Sequence, residues 1–454
     1  MAGKPKEKHF THLSIPKPQL LFTLLFFFLW LISHLIFYTS SSAPSKAALF
    51  PAEDKTCDPD IAPLYIVPLP SRFNSDLLVQ CQNLSPYTDM CPHVAHRGLG
   101  QPLSPSSTSW YATHQFIAEL IFHARVENHP CRTQDPSTAQ LFLLPFYAGL
   151  YGSSQFSQTN LTLRDSLALD FASLLPFLPT WPRRLGRDHF LVIGRTSWDF
   201  MRPPPSHSTP DFGANLLLLL PETQNISVLT VERIPWLPHK HYAIPYPSYF
   251  HPSTATEVAA WRASVLAHPR THLFAFVGGP RPPNLEKAAA RASILRQCAA
   301  SPTRCITVQC RPDDPSTCHD PNRVLTVMRS AEFCMQPPGD SFSRRSVFDA
   351  VLAGCIPVFF SEHTAYTQYL WYAPARPEEW SVFLGPDRSD RIEEELERIP
   401  KPSVARMRER VVEMIPRMTY AHPNASWREL GFRDAVDVAL IELTKIVRGN
   451  VPQV

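Results

Sequence analysis

A chain of 454 residues is longer than one hydrophobic core supports, since single cores stop growing near about 250–300 residues, and it reads as two domains. Its 43 Lys and Arg against 40 Asp and Glu leave a net charge of +3, which excludes the strongly basic face that an electrostatic hold on nucleic acid requires. The 48 prolines are about twice the usual share of roughly 5%, yet they are scattered through apolar segments without a repeat; fixed loops are implied, and solenoids and propellers are excluded.

Residues 20–38 (LLFTLLFFFLWLISHLIFY) contain no Asp, Glu, Lys or Arg, and at 1.5 Å per residue they nearly span a hydrocarbon layer of ~30 Å. Lys4, Lys6, Lys8 and Lys17 precede them with Glu7 as the single acid, so the positive-inside rule keeps 1–19 cytosolic, makes 20–38 a transmembrane signal anchor and sends the rest to a lumen. A cleaved signal peptide is the rival reading, favoured by the small residues at 40–43 but disfavoured by an apolar run longer than the usual ~7–15 residues. Ten cysteines suit an oxidising compartment. The group Cys298, Cys305, Cys310 and Cys318 has no Cys-x-x-Cys pair and no matching histidines, so disulfides are expected there rather than zinc. Sequons stand at Asn83, Asn160, Asn225 and Asn424; Pro86 weakens the first, leaving Asn160, Asn225 and Asn424 as expected glycosylation sites.

After a lumenal stem at 39–56, the pattern predicts a strand over 64–69, a Pro/Ser-punctuated loop to Trp110, a helix over 110–126, a strand over 139–147, a helix across 161–175 and strands over 188–194 and 215–220. The Pro-rich stretch 234–252 cannot sustain a helix or a central strand and reads as an interdomain connection. Beyond it come a helix over 254–267, a strand over 272–279, a helix over 284–299 and a disulfide-suited excursion. A helix over 321–330, a strand over 331–336, a helix over 343–353, a strand over 356–360 and helices near 390–398, 402–415 and 426–448 complete the chain. Short, nearly continuous apolar runs separated by helix-length segments suit strands buried on both faces of a parallel sheet. The reading is two α/β domains, 57–250 and 251–454, with a crevice between them.

The stretch 333–360 (FCMQPPGDSFSRRSVFDAVLAGCIPVFF) concentrates the chemistry. A strand breaks at Pro337-Pro338-Gly339, a helix packs Val347, Phe348, Val351 and Leu352 inward, and Gly354 ends it before the next strand. Such a strand–loop–helix places free backbone N–H groups at the carboxyl edge of a sheet, where α/β folds bind ligands. Arg344 and Arg345 fall on the first helical turn, where cations are normally unfavourable; a pyrophosphate arriving from outside would account for them. Asp349, four residues after Arg345, reads either as an intrahelical ion-pair partner or as an acceptor for the ribose hydroxyls of a nucleotide.

This segment resembles the signature of plant exostosin-type glycosyltransferases of family 47, in particular the xyloglucan galactosyltransferase clade. The blocks PSRFNSDLL (70–78), GLG (98–100), WYATHQF (110–116), LPFYAGLY (144–151), GRDHFLVIGRTSWDF (186–200), IPYPSYFHP (244–252) and FAFVGGPRP (274–282) are similar to the family's blocks in the family's order. The resemblance implies a GT-B fold, two Rossmann-like domains facing a cleft behind an N-terminal transmembrane helix, with an acceptor domain first and a nucleotide-sugar domain second. It implies inverting, metal-independent transfer with no cofactor beyond a UDP-sugar co-substrate, by a single-pass type II protein of the Golgi membrane whose catalytic region is lumenal. Carried over by position, Gly339, Asp340, Ser341, Arg344, Arg345 and Ser346 would line the diphosphate site, Asp349 the ribose, and Arg281, after the Gly278-Gly279 turn, would be a second phosphate contact.

The expected reaction moves galactose from UDP-galactose onto xyloglucan side chains in plant cell-wall biosynthesis. Transfer of arabinose, xylose or galacturonate, transfer onto mannan, and a non-catalytic place in a Golgi complex are the alternatives. Expected partners are the UDP-sugar, a hemicellulose acceptor, the Golgi membrane and oligomers with itself or other Golgi glycosyltransferases, not nucleic acid. Inverting transfer needs a base for the acceptor proton, with Glu119 and Asp199 as the expected carboxylates and His96 and His114 as weaker candidates. Asp58 and Asp60 form an Asp-x-Asp but lie outside any cleft-forming loop and are discounted as metal ligands. Trp198, Trp236, Tyr246 and Tyr249 are candidate stacking platforms for acceptor sugars.

Overall fold

The computed structural model describes residues 28–31, 57–202, 213–237, 240–282, 288–310 and 315–449. The chain separates into two compact units, Met1–Lys55 and Thr56–Val454. In the first, 28–31 form one helical turn; the rest of the expected anchor at 20–38, the tail at 1–19 and the stem up to residue 56 lie outside the described residues. Among the described residues no helix is long and apolar enough to cross a membrane.

The second unit contains two five-stranded parallel sheets. The first runs in sequence order through β1 (Leu64–Ile66), β2 (Leu141–Leu144), β3 (His189–Thr196), β4 (Ser227–Glu232) and β5 (His241–Ala243). The second is built from β6 (His272–Val277), β7 (Cys305–Val308), β8 (Ala331–Gln336), β9 (Ile356–Phe359) and β10 (Val382–Phe383), in the spatial order β10-β9-β8-β6-β7. Alternation along β3 sorts its side chains between two cores: Phe190 and Val192 join one cluster, Leu191 and Ile193 the other. Every residue of β2 is buried, as a strand covered on both faces requires.

The winding of the second sheet locates its ligand edge. The chain leaves β6 for β7 on one side and then crosses to β8 on the other, so strand order reverses between β6 and β8. A crevice opens outside the carboxyl ends of strands at such a point, and the loops after Val277 and Gln336 flank it. The first sheet winds in sequence order without such a reversal.

Several expectations are corrected. The expected strand 215–220 is no strand: Leu217–Leu219 is a 3₁₀ turn, and the true fourth strand is Ser227–Glu232. A run of leucines lacks the β-branched side chains that suit a pleated surface, whereas Val228, Thr230 and Val231 supply them. The connection at 234–252 holds a short strand, β5, on the sheet's edge, where proline-flanked segments are tolerated. The helix expected over 110–126 starts only at Ala118, because Tyr111 pairs with Pro102 and Trp110 with Phe250. The excursion after 299 contains β7.

The helix expected over 426–448 is broken at Gly431, which takes φ +63°; a new helix, Ala435–Val447, begins at Asp434 with a capping box completed by Asp437. This closing helix packs back on the first half of the chain. Arg125 Nε donates to Asp434 Oδ2 at 2.9 Å, His129 Nε2 donates to Asp437 Oδ1 at 3.0 Å, and the Ala62 N–H donates to Thr444 Oγ1 at 2.9 Å.

All ten cysteines are paired: Cys57–Cys131, Cys81–Cys91, Cys298–Cys305, Cys310–Cys318 and Cys334–Cys355. The four considered as zinc ligands are therefore consumed in two disulfides, and Cys334–Cys355 ties β8 to the chain entering β9.

Candidate functional site

The loop after β8 lies at the reversal of strand order, and three arginines shape it. Arg291, on the helix Ala288–Ala300, is buried and splints the ends of two strands: its Nε donates to Pro338 O (2.9 Å), its Nη2 to Pro337 O (3.4 Å) and its Nη1 to Gly279 O (3.1 Å). Burial, reinforced by the nearby Arg344 and Arg281, pulls its pKa down to about 10. Arg344 folds back over the loop, donating from Nη1 to Ser341 Oγ (2.9 Å) and Ser343 O (3.0 Å), while its Nη2 has no hydrogen-bond partner among the described residues. A Cβ on residue 339 would meet that Nη2, so any side chain there would push the guanidinium off the loop.

Arg281 approaches from the loop after β6. Its Nη2 donates to Asp340 Oδ2 at 2.9 Å, and its buried Nε has no partner among the described residues. Asp340 also lies 3.8 Å from Arg344 Nη2, and its side chain is 72% exposed. Three guanidinium groups thus crowd one carboxylate that is mostly in water. The surplus of positive charge is the main electrostatic property of this loop.

The next residues are held by the first sheet. Glu232, the last residue of β4, is fully buried and accepts from the backbone N–H of Ser343 (2.6 Å), the Ser343 hydroxyl, the backbone N–H of Phe342 (3.3 Å) and Trp198 Nε1 (3.1 Å). Ser346 donates to Gln336 Oε1 at 2.6 Å, closing the loop on itself.

Arg345 and Asp349 point away from this charged loop. Arg345 is buried; its Nε donates to Asp349 Oδ2 (3.2 Å), its Nη1 to Thr113 O (3.1 Å) and its Nη2 to the Tyr249 hydroxyl, with the guanidinium 4.4 Å from the Tyr249 ring centre. Asp349 accepts from Ser248 Oγ at 2.6 Å. The pair joins the short helix Ser346–Leu352 to segments of the first half. Of the expected donor residues, the structure therefore brings Arg281, Gly339, Asp340, Ser341 and Arg344 together, sets Ser346 beneath them, and turns Arg345 and Asp349 toward Thr113, Ser248 and Tyr249.

Glu119 is not on a solvated face. It is enclosed, and it accepts the N–H groups of Gly149 (2.8 Å) and Leu150 (2.8 Å), at the start of the helix Ala148–Ser154, and of Gly194 (3.1 Å) in β3. Burial lifts its pKa to about 7 against the pull of these three donors. Asp199 lies just beyond β3 and accepts from Arg195 Nε (2.8 Å) and the Thr196 hydroxyl (3.1 Å), both on Oδ2. Its side chain keeps 11% exposure. His114 packs 5.1 Å from His93, centre to centre, and burial holds its pKa well below the ordinary range, with His93 and Arg345 adding to the effect. His96 is held in the left-handed region at φ +50° with its Nδ1 2.9 Å from Gly100 O. Asp58 and Asp60 are taken by Arg433. Asn160 and Asn424 are exposed; Asn225 is half-buried, its Oδ1 accepting from Lys240 Nζ at 3.2 Å.

Sequence reasoning missed Glu232 and Arg291. Each acts through partners distant in sequence, and the one local signal for Glu232, a carboxylate closing a Val/Thr-rich strand, was lost with the strand itself.

The family model for the exostosin GT47 domain matches residues 61–399, most of the chain. The chain belongs to this family. As an exostosin GT47 protein it is a glycosyltransferase, and its relatives agree. It is 54% identical over 397 residues to the probable xyloglucan galactosyltransferase GT17 of Arabidopsis thaliana, covering 87% of this chain and 85% of that one. It is 41% identical over 400 residues to the xyloglucan galactosyltransferase MUR3 of the same plant, covering 86% and 63%. With the xyloglucan-specific galacturonosyltransferase 1 it shares 35% identity over 396 residues, covering 86% and 57%.

The enclosure of Glu119 in this GT47 glycosyltransferase carries a pH signature. A carboxyl whose folded pKa lies above its unfolded value binds more proton when folded, so its stabilising contribution is full at low pH and falls as pH rises from about 4.5 to about 7. The stability advantage of wild type over Glu119→Gln should shrink by about 3 kcal/mol across that window, at 1.36 kcal/mol per pKa unit. Denaturant titrations at a series of pH values measure it, and a constant difference would contradict the assignment.

Proposed function

We propose that this protein is an inverting, metal-independent GT-B enzyme of the Golgi that transfers galactose from UDP-galactose to xyloglucan side chains, as a type II membrane protein with a lumenal catalytic region. The observation that carries the reading is the convergence of Arg281 and Arg344 on the mostly exposed Asp340 at the reversal of strand order, with Arg281 Nε and Arg344 Nη2 unpartnered among the described residues. A twice-negative diphosphate matches both the surplus charge and the fork geometry of arginine, and two such groups supply the charge stabilisation a departing UDP needs. The names of relatives that are called xyloglucan galactosyltransferases support galactose as the sugar and xyloglucan as the polymer.

In this account Arg281 and Arg344 grip the diphosphate, Gly339 lets the guanidinium lie close over the loop, and Asp340 gives way to the phosphates as their counter-charge. Arg291 fixes the loop from beneath. Asp199, at a strand's carboxyl edge and largely buried with 11% of its side chain reaching water, takes the acceptor proton with Arg195 orienting it. Glu119 has no surface for an acceptor and acts as a positioning residue for the backbones of Gly149, Leu150 and Gly194. The Arg345–Asp349 pair holds the helix that follows the loop, in register with the first half.

The direct test incubates the full-length protein with a panel of UDP-sugars and xyloglucan oligosaccharides and reads products by mass. UDP-galactose should give a product one hexose heavier, undiminished by chelator; UDP-galacturonate belongs in the panel because a 35% identical relative is named for that sugar. No product from any donor, or complete loss with EDTA, would contradict the proposal. The arginines should separate by role. Arg344→Ala should weaken UDP binding by roughly ten- to a hundredfold, the worth of a charge-assisted hydrogen bond, at unchanged melting temperature. Arg345→Ala should instead cost about 3–5 kcal/mol of stability, because it strands the buried Asp349 carboxylate. Calorimetric titration and thermal melts distinguish the two, and the reverse pattern would overturn the division of labour.

A further inference from the structure

Four aromatic rings meet beside the arginine loop. Trp236 lies 5.3 Å from Trp198, 6.0 Å from Phe342 and 5.9 Å from His363, centre to centre, and Phe342 lies 5.1 Å from His363. Trp198 follows β3, Trp236 follows β4, Phe342 belongs to the loop after β8 and His363 follows β9, so the carboxyl edges of both sheets contribute. Trp236 is 57% exposed. A single exposed aromatic needs no explanation, but one at the rim of a cluster assembled from two sheets presents a wide apolar face to water.

The cluster is rigidly mounted. Trp198 Nε1 is bound to Glu232, and the segment carrying Trp236 is fastened across the unit: the Arg233 backbone N–H donates to Gln368 Oε1 (2.9 Å), Arg233 Nε donates to Thr367 O (2.8 Å), and Gln368 Nε2 donates to Arg233 O (3.1 Å). Phe342 is fixed through its backbone N–H on Glu232. Side chains ordered before a ligand arrives lose little freedom when it binds.

We infer that Trp236, backed by Trp198, Phe342 and His363, forms a stacking platform for a pyranose ring of the polysaccharide acceptor, an inference that rests on the glycosyl-transfer reading above. A glucan ring with equatorial hydroxyls presents its axial C–H bonds as a flat, weakly polarised face, which is complementary to the electron-rich face of indole. Distance places this face at the reaction: Phe342 directly follows Ser341, whose hydroxyl holds Arg344, and adjacent Cα atoms are about 3.8 Å apart. The platform therefore adjoins the proposed diphosphate grip through Phe342, one residue from the serine that holds Arg344. A nucleobase can also stack, but the exposed ring and Trp198 come from the first sheet, which does not carry the arginine loop, and this assigns the platform to the acceptor.

The test is calorimetric titration of full-length wild type, Trp236→Ala and Trp236→Phe with a xyloglucan oligosaccharide and, separately, with UDP. Trp236→Ala should weaken oligosaccharide binding by about tenfold. Trp236→Phe should restore most of it, and UDP affinity should be the same in all three. Weakened UDP binding with unchanged oligosaccharide binding would make the platform a nucleobase site and overturn the inference, as would oligosaccharide binding that is absent in wild type or indifferent to Trp236. The two readings fail separately: Trp236-dependent oligosaccharide binding without transfer from any UDP-sugar sinks the enzymatic proposal alone, and transfer with Trp236-independent binding sinks the platform alone.

Discussion

A carboxylate removed from water is tolerated only when donors fill its oxygens, and Glu232 meets that condition by gripping the loop that follows β8. The carboxylate belongs to the first sheet and the loop to the second. The shape of the arginine loop is therefore a property of both halves, fixed by a short set of hydrogen bonds in a dry setting where each one matters more than it would at the surface. Arg345 repeats the pattern in the opposite sense, a cation of the second half satisfied by Thr113, Tyr249 and its neighbour Asp349. Between them these two buried groups commit the chain around 341–349 to one arrangement.

Against that frame of committed groups, the uncommitted ones stand out. Arg345 places each of its three guanidinium nitrogens on a partner of its own, which suits a donor out of water, where an unpaired N–H is costly. Among the described residues Arg281 and Arg344 each keep a guanidinium nitrogen without a partner, and both face a loop whose single carboxylate, Asp340, is mostly in solvent. Such incomplete satisfaction at a reversal of strand order is the physical content of the proposed donor site. The aromatic rings beside it follow from the same clamp, since Trp198 and Phe342 are both tied to Glu232.

How much of this was legible from sequence depended on the range of the interactions. The strand, loop, helix and strand over 331–359 could be read almost residue by residue, because apolar runs, Pro337-Pro338-Gly339 and Gly354 are local signals. The Arg345–Asp349 pair was legible as an ion pair from its spacing, while its bonds to Thr113, Ser248 and Tyr249 were not, since those partners lie 96 to 232 residues away. Glu232 was hidden for the same reason, its loop partners being 110 and 111 residues distant. The enclosure of Glu119 was not legible, because helical periodicity reports which face a residue occupies and not which backbones arrive to cover it. The strand 227–232 was lost to the more apolar leucine run before it, a case where hydrophobicity outweighed β-branching in the reading but not in the fold.

The central claim is that a diphosphate is held between Arg281 and Arg344 on the loop clamped by Glu232. A crystal or cryo-EM structure of the protein with UDP tests it most directly. The account requires phosphate density within hydrogen-bonding distance of both guanidinium groups, with Asp340 displaced from Arg281. Density anywhere else, or phosphates held by Arg345 after release from Asp349 and Tyr249, would contradict it.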